Sequence, residues 1–226
     1  QGTALNHILA IENSVNVYAE QVSATFAAGN NMATYDDESL ANQLKIIARL
    51  LSGGSKTKVF TAGKGGWDTH GSQLGRQNPL LKATGKALRA FQDDLTQLGL
   101  ADKVITVVFS EFGRKYRENG GNGTDHGTLG PMYVMGNAVN PGVYGTNPLL
   151  ADEFLVKDAP NPNTQLQYDY RTVFGTILQD FMGADNTAIT ATFKTASFIN
   201  VKPELILPAL KAGPDCQVDP TQGTAI

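Results

Sequence analysis

Apolar positions fall at helical spacing over four stretches of the chain, and shorter apolar runs lie between them. Leu5, Ile8, Leu9, Ile11, Val15, Val17 and Tyr18 predict a helix over 4–26, closed by Gly29-Asn30-Asn31. Leu40, Leu44, Ile47 and Leu51 predict a second helix from Asp37 or Ser39 to Leu51, with Asp36, Asp37 and Glu38 at its positive end and Gly53-Gly54 stopping it. Leu81, Leu88 and Leu95, one heptad apart, predict a third over 78–98, capped by Gly99. A fourth is expected over 170–182, with Asp169 as N-cap and Gly183 at its end. The runs 57–62, 103–109 and 131–135 read as strands, the middle one β-branched and apolar enough to be covered on both faces. Strand, helix, strand is the order of a βαβ unit, which predicts a parallel α/β sheet with a right-handed crossover.

Beyond residue 136 the pattern breaks into Pro-, Gly- and Asn-rich loops over 137–165, with a short extended piece at 153–156. Further short pieces are expected at 197–201 and 205–210, ahead of a polar tail over 212–226. The whole reads as one α/β domain with its core at about 37–185. Its length of 226 residues and hydrophobic share of 41% are enough to bury such a core. A net charge of −3 points to neither nucleic acid nor an anionic membrane as partner, and no apolar run approaches the roughly 20 residues of a transmembrane helix. Cys216 is the only cysteine, so no internal disulfide can form. The first residue is Gln1 without a leader after it, so the sequence reads as part of a longer chain or as a product from which an export signal was removed.

Chemistry concentrates at the ends of the predicted strands. Residues 63–71, GKGGWDTHG, follow the first; Ser110-Glu111-Phe112-Gly113-Arg114 follow the second; Asp125-His126 return across a Gly/Asn-rich loop toward the third. In open α/β sheets ligands bind beyond the carboxyl ends of strands, which suits a carboxylate and a guanidinium placed there. Of the three histidines, His7 lies among apolar neighbours in the first helix pattern and reads as structural, whereas His70 and His126 each sit beside an aspartate on a glycine-rich loop. Imidazole with carboxylate suits Zn²⁺ or another divalent transition metal. The competing reading has Asp68 and Asp125 capping turns while both histidines bond the backbone, and the short spacings leave the two readings even. Arg114 offers a fork for phosphate or sulfate oxygens, or an ion pair with Glu111 or Glu118. Trp67 could stack on a sugar, although packing as a core or rim aromatic is the simpler role.

The set GGWDTHGSQ, VVFSEFGR, GTDHG and a late helix opened by DYR resembles the bacterial domain-of-unknown-function family 1501 over about residues 40–183. That family is placed in the alkaline-phosphatase-like superfamily, with sulfatases and cofactor-independent phosphoglycerate mutases. The resemblance implies a three-layer α/β/α fold with a mainly parallel sheet, of which this chain would be the C-terminal half, since no segment resembles the nucleophile region.

It implies further that Asp68, His70 and His126 hold one divalent metal, with zinc a suitable ion. For the second metal, the superfamily's Asp-His pair after a central strand aligns either with Glu111-Phe112 or with Asp125-His126. The first alignment is preferred; it leaves Glu111 as the surviving ligand and Asp125 as a ligand or an orienting partner of His126. The activity implied is metal-assisted hydrolysis or transfer of a small phosphate or sulfate ester, with Glu111 and Arg114 as the catalytic candidates and the N-terminal half of the same protein as partner. An exported, periplasmic or extracellular location follows from the twin-arginine signals that family members carry. Glu111-Phe112, standing where the enzymes have Asp-His, favours the alternative: a non-catalytic structural or binding protein of the cell surface that keeps the hydrolase-like fold.

Overall fold

The computed structural model describes residues 2–127, 130–145, 167–194 and 202–208. The chain forms two compact units, Gln1–Ala101 and Asp102–Ile226. The first is helical: α1 (Gly2–Ala28), α2 (Ser39–Ser52) and α3 (Gln73–Gln97). Its core is built from two i, i+4 rows. Leu40, Leu44 and Ala48 of α2 are buried, as are Ala87, Phe91 and Leu95 of α3, the rows that ridge-in-groove packing uses. α1 joins α2 at its C-terminal end, where Arg49 lies 4.4 Å over the Phe26 ring and donates to the Phe26 carbonyl at 2.9 Å. The backbones meet closely there: a Cβ on Gly53 would run into the Thr25 carbonyl oxygen, and one on Gly29 into that of Arg49.

A buried carboxylate closes this unit. Asp94 of α3 is 0% exposed and accepts from the Met32 and Ala33 backbone N–H groups (2.6 and 3.1 Å), the Asn31 amide (2.8 Å) and the Tyr35 hydroxyl (2.9 Å). Four donors satisfy the charge that burial would otherwise penalise. Burial, with the bond to Asp94 and its charge behind it, pushes the Tyr35 phenol far above its ordinary range.

The second unit carries the strands. β1 (Thr106–Val108) pairs antiparallel with β4 (Tyr133–Met135), with Val107 opposite Val134. Between them β2 (Gly113–Glu118) and β3 (Thr124–Gly127) form a separate antiparallel hairpin, its register broken between Arg114 and Glu118. α4 (Tyr170–Thr176) continues into a π-helical turn, Ile177–Phe181, and α5 (Asn186–Phe193) follows. Val173, Ile177, Leu205 and Ile206 form the core; Val107 of β1 and Val134 of β4, with Ile105 and Met132 just ahead of those strands, pack on it with Phe181.

Helices α1 to α4 answer the periodicity, whereas α5 was not expected. Asp169 caps α4 by accepting from the Arg171 N–H at 2.8 Å, while Gly99 and Gly183 take positive φ where helix ends were expected. α3 starts at Gln73, ahead of the expected 78, and runs through Pro79.

The mainly parallel three-layer α/β/α sheet is not found. Among the described residues the sheets are two antiparallel two-stranded ribbons. The expected strand at 57–62 is irregular, with Val59 67% exposed. In place of a strand partner, the Gln43 side chain of α2 brackets Gly63, accepting from its N–H at 2.9 Å and donating to its carbonyl at 3.0 Å. Without that strand there is no βαβ crossover, and the apolar run 103–109 pairs antiparallel with β4, the chain between them forming the β2–β3 hairpin in place of a crossover helix. Nor is that run covered on both faces: Phe109 is 61% exposed. A short apolar run has no periodicity of its own to separate these outcomes. The pieces expected at 153–156 and 197–201, the tail with Cys216 and the side chain of His7 lie outside the described residues. No helix of the described residues is long and apolar enough to cross a membrane.

Candidate metal centre

In the first unit, the loop 63–72 enters α3 and presents Asp68 and His70 together. His70 Nε2 lies 3.1 Å from Asp68 Oδ1, and both side chains are about half exposed. Thr69 between them is fully buried, and its Oγ1 accepts from Gln77 Nε2 of α3 at 3.1 Å. The turn is tightened by a bond from the Thr69 N–H to the Trp67 carbonyl (2.9 Å) and by Ser72 at φ +48°. The donor set suits a metal: two ligands of a tetrahedral zinc, each about 2.0–2.1 Å from the ion, stand about 3.4 Å apart. The Asp68–His70 spacing needs only a small opening to meet that value, so this His/Asp group could hold a metal ion.

In the second unit, the hairpin sorts the remaining candidates onto two faces. Arg114 of β2 stands directly opposite His126 of β3, so their side chains share a face. Phe112 stacks on the His126 ring, centroids 3.9 Å apart and planes 23° from parallel, and the Arg114 guanidinium lies 5.8 Å from the same Phe112 ring. Arg114 Nη1 donates to the Thr124 carbonyl at 2.7 Å, which fixes the guanidinium along the hairpin. Strand alternation sends Asp125 to the opposite face, where its carboxylate lies 3.7 Å from Lys115 Nζ and accepts from Asn119 Nδ2 at 3.1 Å. Adjacent in sequence, Asp125 and His126 therefore point apart. Glu111 is exposed at the bend before β2 and accepts from the Ser110 hydroxyl at 3.2 Å.

The structure thus brings Asp68 to His70, and Arg114 to His126, and sets Asp125 and Glu111 elsewhere. The segment 110–114 leads into an antiparallel hairpin, so its placement beyond the carboxyl end of a parallel strand, which first made it a ligand site, does not hold. Three participants were not legible beforehand. Gln77 and Thr69 carry no motif of their own, although a small polar residue between two candidate ligands was a usable signal. Phe112 stood out only as a departure from a metal-binding pair, and its contact with His126 depends on the hairpin register.

No curated protein and no solved structure matches the chain. A family model does: the family described as "Protein of unknown function (DUF1501)" matches residues 8–198. With most of its length inside that match, the chain belongs to the DUF1501 family.

Proposed function

We propose that this protein binds one divalent metal ion through Asp68, His70 and His126 and uses it in the hydrolysis of a phosphate or sulfate ester. The observation that carries the reading is the exposed Asp68–His70 contact on a loop anchored by a buried residue. An imidazole and a carboxylate, both exposed, are donors that zinc takes in catalytic sites, and the resemblance adds His126 as a third ligand, which leaves a position for substrate. The resemblance of the motifs to alkaline-phosphatase-like enzymes supports the same assignment. A bound ion would supply Lewis-acid polarisation of the ester oxygen and an acidified water.

Arg114, its guanidinium steadied by the Thr124 carbonyl, is the group proposed to hold the equatorial oxygens. Glu111, the second-metal ligand that the resemblance implies, has no part in this one-ion proposal. Asp125, facing Lys115, is left out of the metal set and serves the hairpin's other face. An exported location belongs to the same proposal.

Elemental mass spectrometry on the purified chain tests the metal assignment. About one equivalent of zinc or a similar ion is expected, lost in His70→Ala and His126→Ala; full retention in both variants refutes it. A panel of phosphate and sulfate monoesters tests the chemistry, with Arg114→Ala expected to lower kcat/KM by about 10²-fold. The second reading, a non-catalytic binding protein, is favoured by Phe112, which lies flat on His126 at the position where the enzymes have a ligand. Stoichiometric metal with no turnover on any ester would select it.

A further inference from the structure

The geometry points to Thr69 as a positioning residue for the Asp68–His70 pair, acting through its hydrogen bond from Gln77. The inference rests on the metal reading above and adds residues that touch no ion. Between Ala48 and Ala87, Thr69 is the only buried residue, and it is flanked on both sides by exposed candidate ligands. A loop with one buried side chain takes its position from that side chain.

The identity of the residue matters as much as its burial. A valine would fill nearly the same volume with no polar atom to satisfy, whereas a buried hydroxyl is tolerated because Gln77 Nε2 reaches it at 3.1 Å. That bond ties the loop to the second turn of α3. One turn on, the Leu80 side chain lies beside Gly66, whose φ of +95° is a turn conformation that favours glycine. The Thr69 N–H bond to Trp67 and the left-handed Ser72 then leave the 67–72 backbone little freedom. Asp68 and His70 are each one peptide from the anchor, so a rotation of the Thr69 peptide displaces both donors. Fixing that peptide before an ion arrives lowers the ordering cost of binding, the service that outer hydrogen bonds give to metal ligands.

The test is zinc affinity by competition with a chromophoric chelator, for the wild-type chain, Thr69→Val, Thr69→Ser and Gln77→Ala. Melting curves establish that each variant is folded. Thr69→Val and Gln77→Ala are expected to weaken zinc by about tenfold or more, with Thr69→Ser within about threefold of wild type. In Co²⁺-loaded protein, the visible bands should change in Thr69→Val and return in Thr69→Ser, a readout that simple loss of stability does not move. Should Thr69→Val fail to fold, Gln77→Ala decides alone. Wild-type affinity in Gln77→Ala, or in a folded Thr69→Val, overturns the positioning role and leaves the metal site standing. A wild-type chain that takes up neither zinc nor cobalt overturns both.

Discussion

Replacing Asp94 is the sharpest test of how the first unit is held together. Its carboxylate is wholly buried and receives four hydrogen bonds, two from backbone N–H groups of the segment after α1 and two from side chains of that segment. Bonds to a charged acceptor contribute about 1.5–3 kcal/mol each, about 6–12 kcal/mol in gross terms for the set. Asp94→Ala does not lose all of it, because Asn31, Met32, Ala33 and Tyr35 are exposed or half-exposed and their donors can turn to water. The expected net cost is about 3–5 kcal/mol, among the large single-site effects. Asp94→Asn keeps one oxygen for the Met32 and Ala33 N–H groups but turns an amide toward the Asn31 amide, donor against donor, and should cost about 1–3 kcal/mol. Trp67, the chain's single tryptophan, lies in the same unit and reports its unfolding by fluorescence. With a urea slope of about 1.5 kcal/mol per molar, Asp94→Ala should lower the midpoint by about 2–3 M. A midpoint within about 0.5 M of wild type would refute the clamp, as would Asp94→Asn proving the worse of the two.

Two pH effects follow from neighbouring groups. Tyr35 is raised above its ordinary 10.0, by burial first and then by Asp94, so its stabilising contribution is complete below pH 10 and declines as the pH rises and the unfolded chain ionises there. Wild-type midpoints measured from pH 8 to 11 should fall above 10, and that fall should shrink in Tyr35→Phe; parallel profiles would contradict it. Asp169 is lowered, chiefly by the hydrogen bond from Arg171, with burial opposing and the Arg171 N–H assisting. Its contribution is therefore present above the unfolded value of 3.8 and lost as the pH falls through the lower, folded value. Melting at pH 7 should show Asp169→Ala about 1 kcal/mol less stable through loss of the α4 cap, and a pH series from 2 to 6 should show wild type losing an acid-sensitive contribution that Asp169→Asn lacks.

The helices of this protein are written locally. Leu40, Leu44 and Leu51 recur with the helical repeat, and Asp169 and Gly183 mark ends by chemistry that acts within one turn, so residues 39–52 and 170–176 could be placed without knowing what they pack against. The Asp68–His70 proximity is of the same kind, since two residues apart on a tight loop can meet without help from elsewhere. Sheet structure was not available in that way. A strand is completed by a partner, and nothing within 57–62 announces that Gln43 of α2, rather than another strand, will take up the Gly63 N–H. Likewise the run 103–109 carries no sign of whether it will lie parallel to a strand across a helix or antiparallel to 133–135 across a hairpin. Strand register then decided the site: it put Arg114 beside His126 and turned Asp125, its neighbour in sequence, to the far face. Sequence alone determined α1, α2, most of α3 and α4, and the residue types able to hold a metal. Tertiary structure decided the sheets, the faces and the anchoring of Thr69 by Gln77, because those depend on pairings between segments whose local preferences are silent about one another.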